Sequence, residues 1–347
     1  MKCKRCETLP SFKDKNVTLY VYIPTHHHEP LFEANLIDKN YTYEKHAKYY
    51  LVDVESLHAF IRIMRNLFNV LERSDIKILP FNKQKGLDPA VLHNMRTLEE
   101  WVDYYKSRQV RYVLRENALK VHFQPIMDKR TNEIFGYEGL VRGIDKDGSD
   151  IPPGLLFEQA KNLDLLFNLD KASRETVIRS AAEIGLKKHL FINFIPTAIY
   201  NPELCLKTTL EAIKFYDLAA SKITFEVVES ERIKDFDHLN TILEYYKARG
   251  FNTALDDVGS GYANMEAISR LRPSIIKIDQ MIIRNIHKDQ EKQKAFKAYY
   301  ELAKKNDIRI LAEGVETKDE ETYLSNYDID YAQGYYYGKP QPTLLDN

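Results

Sequence analysis

Six short apolar runs between residues 136 and 314 each end on a carboxylate, an amide or a lysine. They are GYEG with Glu138, FINF with Asn193, ITFEVVE with Glu226 and Glu229, TALDD with Asp256 and Asp257, IIKID with Lys277 and Asp279, and ILAEG with Glu313. A β-branched run that stops at an acid reads as a buried strand whose charged end opens into a shared mouth. One such run means little. Six in series, separated by helix-length segments, predict a parallel barrel with oxygen donors gathered at one rim.

The wider pattern agrees. From Leu119 onward the candidate strands are LKVHFQPIM, IFGYEGLVR, LFINF, ITFEVVE, FNTALDD, SIIKID, IRILAEG and DYAQG. Helical patterns fall between them, over Pro153–Asn162, Lys171–Ile184, Pro202–Tyr216, Asp235–Arg249, Met265–Leu271, Gln290–Lys305 and Lys318–Ser325. Eight strands with intervening helices in this length predict an α/β protein built on a TIM-like (β/α)8 barrel. A doubly wound open sheet is the structural rival, but it would place ligands at one switch point, not around a full rim. Neither G-x-G-x-x-G nor G-x-x-x-x-G-K-[ST] occurs, so nucleotide-fold readings gain no support.

Ahead of the barrel the acid-tipped pattern is missing. VTLYVYI (17–23), YYLVDV (49–54) and IKILPF (76–81) read as strands, and apolar residues at three-four spacing from Ser56 to Arg73 read as one amphipathic helix. The expected organisation is a small α/β or α+β domain over 1–95, a connecting helix over 96–118 and the barrel over 119–347.

The 347 residues carry a formal net charge of −1, which removes the argument for a general binder of polymeric nucleic acid or of a membrane surface. No apolar stretch approaches the ~20 residues that span a bilayer. The start of the chain lacks the apolar core of a secretory signal, and three cysteines make no disulfide framework. The expected location is cytoplasmic. Cys3 and Cys6, with His26 and His28 about twenty residues on, have the ligand types for a structural zinc site. The bland alternative is a frayed thiol pair and a solvent-exposed histidine loop.

Glu138, Glu226, Asp256, Asp257 and Glu313, with Asn193, form an all-oxygen donor set suited to Mg2+ or Mn2+. Unneutralised, such buried acids repel one another and take up protons. The adjacent Asp256 and Asp257 serve one site only where the backbone turns, and Gly259-Ser260-Gly261 follows as a candidate turn. One or two ions there suit phosphodiester hydrolysis. Lys277 either handles the attacking water or offsets phosphate charge, and Arg142 can grip a phosphate that does not react. Asp279 reads equally as a helix cap, and Gln333 equally as a turn residue.

In this order the motifs resemble the EAL-domain family, which hydrolyses the bacterial second messenger cyclic di-GMP to linear pGpG. FQPI (123–126), EGLVR (138–142), INF with Asn193, FEVVE (225–229), LDDVGSGYA (255–263), IKID (276–279), AEGVET (312–317) and QGYYYGKP (333–340) carry the resemblance over roughly 119–342. It implies a barrel whose first strand runs against the others. It implies Glu138, Asn193, Glu226 and Asp256 as metal ligands, with Asp257 on a second ion. Lys277 and Glu313 would hold the catalytic water near Gln333, and Glu229 would anchor the loop after Asp257. Gln124, Leu140 and Arg142 would contact the dinucleotide, and a homodimer through the barrel would follow. Two positions depart from the family: Gly139 stands at the signature alanine, and Val258 at the loop phenylalanine. The rival functions are a catalytically weak or inactive receptor for the same dinucleotide, acting through a protein partner, and an enolase-like barrel. No GG[DE]EF-like motif is present to indicate a paired cyclase.

Overall fold

The computed structural model describes all residues except 1–8, 10–11, 82–91, 93, 228–234, 261–264 and 346–347. The chain divides into two compact units. One comprises Lys2–Arg115 with Gly154–Leu165, the other Glu116–Pro153 with Leu166–Asn347.

In the larger unit a ring of eight strands closes on itself. The strands are β6 (Leu119–Asp128), β7 (Ile134–Ile144), β9 (His189–Phe194), β10 (Ile223–Val227), β11 (Asn252–Val258), β12 (Ile275–Ile278), β13 (Arg309–Ala312) and β14 (Tyr331–Gln333). Their order is β6-β14-β13-β12-β11-β10-β9-β7, and the β6–β7 pairing completes the circle. β6 is antiparallel to both neighbours, and every other ring pairing is parallel. A short strand, β8 (Asp150–Ile151), extends β7 outside the ring. This is the expected TIM-like barrel with a reversed first strand.

The parallel strands are short and buried on both faces, which is why they read as unbroken apolar runs. Inside the ring, Ile126, Phe191, Ala254, Ile275, Leu311 and Tyr331 fill the end away from the acid-bearing rim. Outside it, a larger core joins strands to helices through Val177, Ile178, Ile192, Phe225, Tyr246, Ile276 and Phe296.

The smaller unit is a five-stranded antiparallel sheet in the order β2-β3-β1-β4-β5. Its strands are β1 (Lys15–Tyr22), β2 (Thr42–His46), β3 (Tyr49–Ser56), β4 (Lys77–Phe81) and β5 (Arg96–Thr97). Helix Glu29–Asp38 links β1 to β2, and helix Leu57–Leu67 follows β3. That βαββαβ path with β1 between β3 and β4 is the ferredoxin-like topology. Its core gathers Leu19, Val21, Val52, Phe60, Met64 and Trp101.

Two helical expectations need correction. The helix expected over Ser56–Arg73 is two, Leu57–Leu67 and Val70–Asp75. Asn69 restarts it through a capping box with Glu72, which satisfies amide groups that a continuous helix would keep internal. The single connecting helix expected over 96–118 is likewise two, Leu98–Lys106 and Arg108–Glu116. Trp101 on the first is buried in the smaller unit, with its indole N–H donated to Ile78 O at 3.0 Å, so this segment is core and not linker.

Candidate active site

The acid-tipped strands deliver their side chains to one place. Lys277 is the third residue of β12 and is 1% exposed. Its Nζ lies 2.8 Å from Glu313 Oε1, 3.0 Å from Glu226 Oε1, 3.0 Å from Asp256 Oδ1 and 3.7 Å from Glu138 Oε2. Glu138 sits mid-way along β7. Its Oε1 accepts from Asn193 Nδ2 at 2.7 Å, and its Oε2 from Gln333 Nε2 at 2.8 Å. Asn193 and Glu226 are register partners on β9 and β10, each one residue from the strand's C-terminal end.

The two aspartates reach the same mouth by a backbone device. The β11–β12 register shifts between Leu255 and Val258, so Asp256 and Asp257 occupy a bulge. Asp257 takes φ 53°, the left-handed region that aspartate tolerates better than most residues. A turn follows at Gly259 and Ser260, with Ser260 N–H donated to Asp257 O at 3.1 Å; Gly261 lies outside the described residues. Ligand atoms of Asp256, Asp257 and Glu313 lie within 4.8 Å of one another, the one such grouping of metal-ligating side chains among the described residues.

Burial and charge set the protonation of the cluster. Burial pushes Glu226 well above the ordinary carboxyl range; Lys277 opposes the rise, and Glu138, Asp256 and Glu313 add to it. Glu313 is pushed well up by burial and by Asp256. Asp257 rises to about 7 through burial and the charges of Asp256 and Asp279. Glu138 moves the other way. Burial raises it, but Lys277 and the two amide donors outweigh that and bring it below the usual value. Burial opposes the charge on Lys277, and its four acidic neighbours overcome that and raise its pKa well up.

One ammonium thus sits among four carboxyl groups, and Glu226 Oε2 is buried with no hydrogen-bond partner. Glu226 Oε1 also lacks a formal hydrogen bond, but at 3.0 Å from Lys277 Nζ its ion pair is the physically meaningful contact. An orphaned carboxyl oxygen in a pocket lined by four acids, three of them with pKa values raised for want of counter-charge, fits a hard divalent cation. Glu138, Glu226 and Asp256 surround the Lys277 ammonium, Asn193 is bonded to Glu138, and Asp257 groups with Asp256 and Glu313.

The other expected residues are placed as follows. Gln124 is the register partner of Glu138 and donates weakly to Gly338 O at 3.4 Å. Leu140 and Arg142 follow Glu138 at alternate positions of β7, so they share its face; Arg142 donates to Val141 O at 2.8 Å. Asp279 does cap the helix Gln280–Ile283, accepting from Met281 N–H at 2.7 Å, and it also raises Asp257. Glu229, Cys3 and Cys6 lie outside the described residues. His26 pairs with Glu29 at 3.0 Å, and both ring nitrogens of His28 are engaged, by Thr25 and Glu72.

The two departures also have structural accounts. A Cβ built on Gly139 would fall inside van der Waals contact with Val177 of helix Leu166–Glu183, so the branched valine fills the space an alanine methyl would take. Val258 is buried in the barrel core, and its carbonyl accepts the Asp279 N–H at 3.0 Å.

The family model for the EAL domain matches residues 107–340, well over half of the chain. The chain belongs to the EAL domain family. Among curated relatives, the probable cyclic di-GMP phosphodiesterase PdeG of Escherichia coli K12 is 30% identical over 244 residues, 68% of this chain and 47% of the relative. The cyclic di-GMP phosphodiesterase PdeR of the same organism is 27% identical over 257 residues, 72% of this chain and 38% of the relative. The chain therefore spans less than half the length of either. Among solved structures, a standalone versatile EAL protein from Vibrio cholerae O395 in its c-di-GMP-bound form is 41% identical. It covers 65% of this chain and 94% of its own, with a TM-score of 0.60. No helix among the described residues is long and apolar enough to cross a membrane.

Proposed function

We propose that this EAL chain is a metal-dependent phosphodiesterase that opens cyclic di-GMP to linear pGpG. The observation that supports this best is the orphaned Glu226 carboxylate oxygen in a pocket where four acids share one lysine. The relatives named as cyclic di-GMP phosphodiesterases, and the Vibrio cholerae protein bound to c-di-GMP, supply the substrate.

Each residue then has a task. Glu138, Asn193, Glu226 and Asp256 hold Mg2+ or Mn2+, and Asp257 holds a second ion. When bound, the metal neutralises the acids and lowers the pKa of a coordinated water. Lys277, its ammonium 2.8 Å from Glu313, would orient the attacking water toward phosphorus, and Glu313, ionised once a bound ion offsets its acidic neighbours, would accept the water's proton. Gln333 fixes Glu138 by its amide donor. Gln124, Leu140 and Arg142 line the face on which the dinucleotide lies, and Arg142 turns from Val141 O to a phosphate oxygen. Glu229 anchors the loop after Asp257, and two copies associate through the barrel.

A receptor that binds the dinucleotide without cleaving it needs neither the Asp256–Asp257 bulge nor the buried lysine. Chromatography of purified protein incubated with cyclic di-GMP and Mn2+ separates the readings. The proposal expects pGpG from the native chain and none from Glu138→Ala. Binding of cyclic di-GMP with no product in saturating Mn2+ would contradict it and leave the receptor.

A further inference from the structure

Helix Leu166–Glu183 carries an ion pair at positions where a solvated helix face would be expected from sequence. Asp170 is 2% exposed and Arg174 is fully buried. Asp170 Oδ2 accepts from Arg174 Nε at 3.0 Å and Nη2 at 2.7 Å, and Arg174 Nη1 donates to the Thr209 hydroxyl. The remaining oxygen, Asp170 Oδ1, accepts the backbone N–H of Ile195 at 2.8 Å.

That last bond reaches the end of a site strand. Among the described residues the β9–β10 pairing runs to Phe194 and Val227, and Ile195 lies just beyond the last described pair. Ile195 is buried and Pro196 follows it, starting a short 3-10 turn. Without Asp170 its N–H would be a buried donor left unpaired, which costs about 1–3 kcal/mol. The carboxylate accepts the Ile195 N–H two residues past Asn193 and so fixes the chain where it leaves the barrel. A buried ion pair is not in itself a net source of stability. What it supplies here is an acceptor that cannot rotate away, because the guanidinium fork clamps its other oxygen.

We propose that Asp170 is a positioning residue for the metal site: through Ile195 N–H it locks the exit of β9 and so the aim of the Asn193 amide at Glu138. This rests on the metal-site reading given under Proposed function. The partner chemistry is a hard divalent cation, and Mn2+ is the probe.

Two double variants of the full chain, both without the ion pair, test it by calorimetric Mn2+ binding alongside thermal unfolding. In Asp170→Asn/Arg174→Met the amide oxygen still accepts from Ile195. In Asp170→Ala/Arg174→Met nothing does. The expected result is weaker Mn2+ binding in the alanine pair by about tenfold or more, with the asparagine pair close to native. Equal affinities in the two, whether both native or both weakened, overturn the proposal. If the alanine pair does not fold, Asp170→Glu keeps the charge pair and shifts the carboxylate by one methylene. Weaker Mn2+ binding at an unchanged melting temperature then supports the proposal, and native affinity overturns it. A native chain that takes up no Mn2+ at all removes the metal-site reading itself, an outcome visible before any variant is compared.

Discussion

Lys277 and Glu226 show how much of this site is held against its own electrostatics. The lysine is buried among four acids, and Glu226 keeps an unpartnered oxygen. Removing Lys277 leaves the buried Glu138 carboxylate without its counter-charge, so Lys277→Met should cost the metal-free protein about 3–5 kcal/mol in chemical denaturation. Glu226→Gln should do the reverse: raise the melting temperature in chelator while abolishing the further rise that Mn2+ gives the native chain. A lower melting temperature for Glu226→Gln in chelator would mean that the acid is stabilising, not strained. Gly139 and Val177 belong to the same scale. Gly139→Ala drives a methyl into Val177 and should destabilise by about 1–3 kcal/mol. Most of that should return in Gly139→Ala/Val177→Ala, because the second change vacates the space. Additive losses in urea unfolding would show that the two positions do not share it. The acids were legible from sequence because each ends an apolar run. Asp170 was not: an acid four residues before an arginine on a helix looks the same whether the pair is buried or solvated.

The strands of the barrel were legible as elements because burial on both faces leaves an unbroken apolar run, and the observed ranges differ from the expected ones by a few residues at each end. β2 was not, since TYEKH is an exposed, charged edge with no alternation to read. The bulge at Asp256–Asp257 was legible only as the need for a turn, because the shift in pairing depends on β12. At the opposite end of the ring, β9 begins with His189, whose ring meets Thr224 Oγ1 at 2.9 Å and stacks on Phe135. Burial, then the charge of Arg309, pushes this imidazole from 6.5 down to about 4. The folded state therefore refuses a proton that the unfolded chain accepts. Stability is unaffected by His189 above pH 6.5 and falls as pH drops from there to about 4, by about 3 kcal/mol in all. Asp257 at the other rim titrates nearby, at about 7, so the readout is a difference. Urea unfolding of His189→Gln should lose less stability than the native chain between pH 6.5 and 4. Parallel curves would contradict the assignment.

On the scale of the whole chain, a ferredoxin-like unit and an EAL barrel are each compact bodies with their own apolar cores. The expected boundary at 95 missed Trp101 and its helix because one strongly amphipathic segment reads alike as linker and as core. Segment Gly154–Leu165 groups with the smaller unit although it lies between barrel strands in sequence, an assignment that only tertiary contacts reveal. The barrel brings together side chains as distant in sequence as Glu138 and Gln333, 195 residues apart, and everything proposed for the chain depends on a divalent ion sitting between them and β9–β11. Anomalous diffraction from crystals grown with Mn2+ tests that directly. A manganese peak bordered by Glu138, Asn193, Glu226 and Asp256 is the predicted result. Saturating Mn2+ with no peak at that rim, or with one only elsewhere on the molecule, would contradict it.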